Sequence, residues 1–179
     1  MQPIFLILGS PAAGKSTISS ALMQRFERGL HIPVDDLRVM VVSGLSDMEA
    51  EPSAPLLEQI RLARASAASM ARLYNAEGFA VVIDDFWHTQ TPDWDYREIL
   101  DGGHRILLLP SLEENLKRLY ERGKEPGEIK PYLEAGVRHV HDAVSTYPET
   151  TVGWHVLDSS RLSVAQTVDQ ILELTQIKP

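Results

Sequence analysis

A chain of 179 residues is the size of one domain. Its 44% hydrophobic and 23% charged composition argues against disordered and fibrous classes, and the absence of cysteine excludes disulfides and thiolate metal or redox sites. The net charge of -8 weighs against a broad nucleic-acid surface, though not against a local basic groove. The acid is unevenly spread: residues 1–40 carry +1, 41–104 carry -7, 105–147 are neutral and the remainder carry -2. The first apolar run has no basic residues before it and is too short for a signal peptide. No run approaches the ~18 apolar residues of a membrane span. The expected location is cytoplasmic, with no membrane partner.

In chain order, Ile4–Leu8 is a continuous apolar run, as expected of a strand buried on both faces of a parallel sheet. A glycine-containing turn and a helix over Lys15–Arg25 follow. His31–Val34 predicts a second strand, residues 36–43 a short helix, and Ser43–Pro52 a loop. Leu56, Ile60, Ala63, Ala67, Met70 and Tyr74 fall on one face of a helix over Pro55–Asn75. Phe79–Ile83 and Arg105–Leu109 read as the third and fourth strands. Ser111 and Glu114 form a candidate capping box opening another helix. Gly123–Gly127 is a loop, Pro131–Tyr147 a helix, and Gly153–Leu157 the fifth strand. Ser163 and Gln166 make a second capping box before a helix to about Thr175. Strands alternating with helices predict an α/β domain with a mostly parallel sheet and helices on both faces.

Gly9-Ser10-Pro11-Ala12-Ala13-Gly14-Lys15-Ser16 fits the phosphate-loop pattern G-x-x-x-x-G-K-[ST], with Thr17 directly after it. A strand precedes it and a helix follows, as the mechanism requires. Glycines let backbone N–H groups converge on phosphate oxygens, and the helix N-terminus favours negative charge. In such a loop Lys15 reaches the β/γ-phosphates and the Ser16 hydroxyl holds Mg²⁺. The third strand ends in Asp84-Asp85. Either acid could hold Mg²⁺, directly or through water; a cap after a strand is the plainer alternative.

On these residues the chain resembles the P-loop kinase superfamily, and most of all the branch with polynucleotide 5′-kinases and chloramphenicol-phosphotransferase-like enzymes. The resemblance implies a three-layer α/β fold with a five-stranded parallel sheet in order 2-3-1-4-5, forming a single domain over 1–179 with a short lid near 115–130. It implies ATP and Mg²⁺ as cofactors. Asp35-Asp36-Leu37-Arg38 resembles the Asp-Asp-x-Arg segment of polynucleotide kinases. By that likeness Asp35 is the general base on the acceptor hydroxyl and Arg38 a clamp on the acceptor, with Asp36 beside them. Helix capping and a surface arginine are the alternatives. The lid of similar kinases carries arginines that close over ATP, which here implies Arg118 and Arg122, one helical turn apart. Which of the two is catalytic stays open. Arg161, in the loop after the fifth strand, corresponds to the adenine side.

Phe86 to Tyr96 holds two of the three tryptophans and lies beyond a strand C-terminus, where open α/β sheets bind ligands. Asp85, Trp87 and His88 are therefore candidate acceptor residues; a packed surface loop is the alternative. The leading expectation is an ATP-dependent kinase acting on a hydroxyl of a small molecule. A polynucleotide 5′-hydroxyl kinase and a nucleotide-binding regulator or NTPase without an acceptor are the alternatives. The acceptor's identity and the oligomeric state are not encoded in any motif.

Overall fold

The computed structural model describes residues 2–48, 52–87, 96, 102–122, 131–146 and 151–179. Five strands, β1 (Ile4–Gly9), β2 (Gly29–Pro33), β3 (Ala80–Phe86), β4 (His104–Leu108) and β5 (His155–Leu157), form one sheet in the order β2-β3-β1-β4-β5. Every neighbouring pair is parallel. The fold class and strand order implied by the resemblance are thus the ones observed.

The apolar run of β1 explains the layering. Side chains alternate along a strand, so Leu6 and Leu8 enter one core and Phe5 and Ile7 the other. On the first face lie α2 (Val34–Val39), α3 (Ala54–Ala76) and α5 (Pro131–Thr146), contributing Val34, Ala63, Ala67 and Val140. On the second lie α1 (Lys15–Met23) and α6 (Val164–Thr175), contributing Ile18, Leu22, Val168 and Ile171. The α3 stripe is buried at Leu56, Ile60, Ala63 and Ala67, while Tyr74 is partly exposed and packs edge-on against Phe79 at 5.2 Å. Helix α4 (Leu112–Arg122) follows β4. Among the described residues, no helix is long and apolar enough to cross a membrane.

Several boundaries differ from expectation by one to four residues, among them the end of α1, β4 and the start of β5, which begins at His155 rather than Gly153; three of the differences have visible physical reasons. β2 starts at Gly29, two residues early, because Gly29 joins the ladder opposite Ala80. A Cβ there would sit 2.4 Å from the Met23 carbonyl oxygen, so this glycine allows close approach rather than breaking a strand. α2 occupies Val34–Val39 rather than 36–43, starting directly after extended Pro33. Val39 to Val42 then turn to solvent. β3 continues past Ile83 to Phe86, because its pairing with β1 runs on to Gly9 opposite Phe86. Asp84 and Asp85 therefore lie inside the strand and point to opposite faces.

The two capping boxes expected at Ser111 and Ser163 form to different extents. That of α6 is complete, with Ser163 accepting from Gln166 N–H and Gln166 reaching back. That of α4 is half formed. Ser111 Oγ accepts from Glu114 N–H at 3.3 Å, but the Ser111 N–H donates to Ser160 Oγ at 2.7 Å, and the Glu114 carboxylate turns to Arg118. The loop read at Gly123–Gly127 lies outside the described residues.

Candidate active site

The phosphate loop leaves β1 at Gly9, where a Cβ would lie 2.6 Å from the Leu108 carbonyl oxygen on β4. Its end, Gly14, caps α1 with φ 95°, a conformation that favours glycine. Ala12 also has positive φ, at 59°, which a non-glycine residue adopts only when its surroundings hold it there. Alternating right- and left-handed residues of this kind turn successive N–H groups toward one point and make an anion-binding concavity.

Asn115 of α4 reaches under this loop. Its Nδ2 donates to the Pro11 carbonyl at 2.8 Å, and its Oδ1 accepts from Ser10 Oγ. Both Ser10 and Asn115 are fully buried. Lys15 Nζ donates to the Ser10 carbonyl at 3.1 Å. Burial pushes the Lys15 ammonium below the usual lysine range; the negative charges of Asp84, Asp35 and Asp85 oppose that, and Arg122 adds to it. Four charged groups from three elements, β3, α2 and α4, thus act on this one ammonium.

Asp84 faces the α1 side. Ser16 Oγ donates to its Oδ1 at a long 3.5 Å, and its Oδ2 contacts His31 Nε2 at 2.5 Å. Ser16 and Asp84 present hard oxygen donors next to the loop, a set that suits Mg²⁺. Among the described residues, no group of three or more His, Asp or Glu forms a separate metal cluster.

Asp85 faces the other way, into the core under α3. It accepts from Arg64 Nε at 2.7 Å, Tyr96 Oη at 2.8 Å and the Phe86 N–H at 2.8 Å. Burial raises the Asp85 carboxyl above the usual range, and Arg64 is the strongest opposing influence. The Arg64 guanidinium also lies over the Phe86 ring at 4.7 Å. The two adjacent acids, equivalent in the sequence, are therefore separated by strand geometry into one beside the loop and one in a buried ion pair.

Asp35 and Asp36 occupy the exposed first turn of α2, at the C-terminal edge of the sheet. Arg38 turns back, donating from Nη1 to the Ser46 carbonyl at 2.7 Å. Gln59 pins the same segment through Ser46 N–H and the Gly44 carbonyl. Arg118 is held by Glu114 at 2.9 Å and donates to the Ser159 carbonyl at 2.9 Å, which joins α4 to the loop after β5. Arg122 ends α4, and its charge acts on Lys15. Arg161 is exposed in the loop after β5. Trp87 is buried and packs edge-on against Trp154 at 5.0 Å, within the core. His88 lies outside the described residues, as does the part of the expected lid beyond Arg122.

Asn115, His31, Arg64 and Tyr96 were not singled out from sequence. Asn115 left one signal: it shares a helical face with Arg118 and Arg122, three and seven residues on.

The model of the chloramphenicol phosphotransferase-like protein family matches residues 2–159. The chain belongs to that family. A search of curated proteins gives no match. Among solved structures, the tunicamycin resistance protein of Deinococcus radiodurans is similar at 19% identity and a TM-score of 0.69, over 99% of this chain and 98% of that one. A sugar kinase from Janibacter sp. HTCC2649 is similar at 17% and 0.63, over 100% and 97%. Shikimate kinase from Bacteroides thetaiotaomicron is similar at 14% and 0.61, over 98% and 99%. At these identities the likeness establishes the fold alone, and membership in the chloramphenicol phosphotransferase-like family points to phosphotransfer.

Proposed function

We propose that this chain transfers the γ-phosphoryl group of ATP to a hydroxyl of a small-molecule acceptor. The reading rests on the site's geometry: Lys15 and Ser16 open α1 directly after the phosphate loop, Ser16 Oγ donates to Asp84 of β3, and Asp35 of α2 follows the neighbouring strand at the same sheet edge, with the charge of Arg122 on α4 also acting on Lys15. Phosphoryl transfer needs those parts together: a cation on the transferred group, a carboxylate for the metal, a carboxylate for the acceptor hydroxyl and a second cation for developing charge.

In this reading the backbone N–H groups of residues 12–17 and the Lys15 side chain bind the phosphates, and Ser16 with Asp84 would hold Mg²⁺. Mg²⁺, when bound, neutralises charge on the phosphate oxygens. Asp35 orients the acceptor hydroxyl and accepts its proton late in a loose transition state. Arg122 stabilises the charge on the transferring group. Arg118 braces the loop that carries Arg161 on the adenine side. Asp36 and Arg38 border the acceptor. The 179 residues act as one kinase domain with 115–130 as its lid, in the cytoplasm where ATP is held.

Transfer from γ-labelled ATP to a panel of hydroxyl compounds and 5′-hydroxyl oligonucleotides tests this. A small molecule should become labelled, and Asp35→Asn should lower that transfer by at least about 100-fold while ATP affinity stays within about threefold. Unchanged transfer in Asp35→Asn removes Asp35 as base. Labelling of oligonucleotides alone supports a polynucleotide kinase instead, and hydrolysis without any acceptor supports a regulator.

A further inference from the structure

We propose that Asn115 is a positioning residue for the phosphate loop. It holds the loop's first turn in its anion-binding shape and fixes the lid helix to that turn. The inference rests on the reading of residues 9–17 as a nucleotide site and adds a part that the phosphate-loop motif does not contain.

Three observations carry it. First, the loop contains a strained residue that needs an outside hold: Ala12 has φ 59° without being glycine. The residues on its N-terminal side are the ones Asn115 grips, at the Ser10 hydroxyl and the Pro11 carbonyl. Second, both ends of the Asn115 amide are used, one as donor and one as acceptor, inside a fully buried site. A buried amide with both ends matched fixes orientation as well as distance, and leaving either partner unpaired is unfavourable. An apolar residue at 115 would serve helix packing without selecting a loop conformation. Third, α4 is linked to nucleotide-side elements along one face. Ser111 N–H donates to Ser160 Oγ, Asn115 grips the phosphate loop, Arg118 donates to the Ser159 carbonyl, and Arg122 acts on Lys15. Because Asn115 ties the middle of this helix to the loop, the same two hydrogen bonds set the position of Arg122, seven residues on, relative to the phosphate loop.

The Ser10 carbonyl extends the coupling. It accepts from Lys15 Nζ and from the Ala13 N–H at 3.3 Å. Ser10 is therefore held through its hydroxyl by Asn115 and through its carbonyl by the loop itself. Loss of the Asn115 contacts should release the turn that presents Lys15.

The test uses calorimetric titration of the full chain with MgATP, together with hydrogen exchange of the free protein. Asn115→Leu keeps the size of the side chain and removes both hydrogen bonds; Ser10→Ala removes one. ATP affinity should fall about tenfold in Asn115→Leu and about threefold in Ser10→Ala. The double variant should fall no further than Asn115→Leu, because the two residues act through one contact. Exchange at residues 12–14 should quicken in Asn115→Leu while β1 amides stay protected. Val81→Ala, a core change at the far end of β3, controls for general destabilisation and should leave ATP affinity unchanged. ATP affinity within twofold of wild type in Asn115→Leu overturns the proposal, and so does an equal loss in Val81→Ala. Should Asn115→Leu fail to fold, unchanged affinity in Ser10→Ala overturns it. Failure of wild type and all variants alike to bind ATP would sink the nucleotide reading itself, and this proposal with it.

Discussion

The Lys15 ammonium is enclosed even though the residue as a whole is partly accessible. Burial is the largest influence on it and outweighs three carboxylates, so the charged form is disfavoured in the free protein. The sign follows. The folded pKa lies below the unfolded value of 10.5, so the penalty is complete below the folded pKa, shrinks as pH rises above it, and is gone above 10.5. It is relieved only as pH rises through the folded pKa. Lys15→Met should therefore raise the melting temperature of the nucleotide-free protein at pH 7 while abolishing ATP binding. The gap between the two proteins should narrow between pH 7 and pH 10, as scanning calorimetry would record. A variant that melts lower than wild type at pH 7 contradicts this balance. Such a residue spends stability on function, and that is visible only in the fold. The motif marked Lys15 in the sequence, but no local pattern distinguished Asp84 from Asp85. Their separation depends on β3 continuing past Ile83, and thus on pairing with β1 some eighty residues away in sequence. Asn115 and Arg64 were hidden for the same reason, since their partners are 104 and 21 residues distant.

At the scale of elements, the sequence was most readable where one face repeats. The α3 stripe, the apolar core of β1 and the Ser163 capping box all reflect contacts within a few residues or a period set by the backbone. It was least readable at edges. Gly29 looks like punctuation in a sequence, yet it opens β2 because the Met23 carbonyl crowds the space where a Cβ would project. Gly29→Ala should force the α1–β2 connection apart and lower stability by about 1–3 kcal/mol, the usual range for overpacking. A urea midpoint would show it. ATP affinity at the opposite end of β2 should change little, because the clash lies at the strand's N-terminal end and Asp35 follows its C-terminal end. Retention of full stability would mean that the connection yields more easily than backbone contact at 2.4 Å implies.

For the whole molecule, strand order sets the location of the site. With β1 in the centre and β3 beside it, the C-terminal ends of both open on the same edge, and β2 brings Asp35 to that edge as well. The net charge of -8 acquires a direction from this arrangement. The candidate phosphate site combines Lys15 and Arg122 with Asp84 and Asp35, so it is not a basic patch; nucleotide binding has to draw on backbone N–H groups and on Mg²⁺ that offsets the carboxylates. Binding should then depend strongly on the metal. MgATP at 100 times its dissociation constant adds about 2.7 kcal/mol to the folded state, which for a chain of this size raises the melting temperature by about 5–11 °C. ATP with excess chelator should produce a much smaller rise, because Asp84 and Asp35 then face the phosphates without a cation between them. An equal shift with and without the metal would show that Lys15, Arg122 and the loop amides alone overcome the two carboxylates.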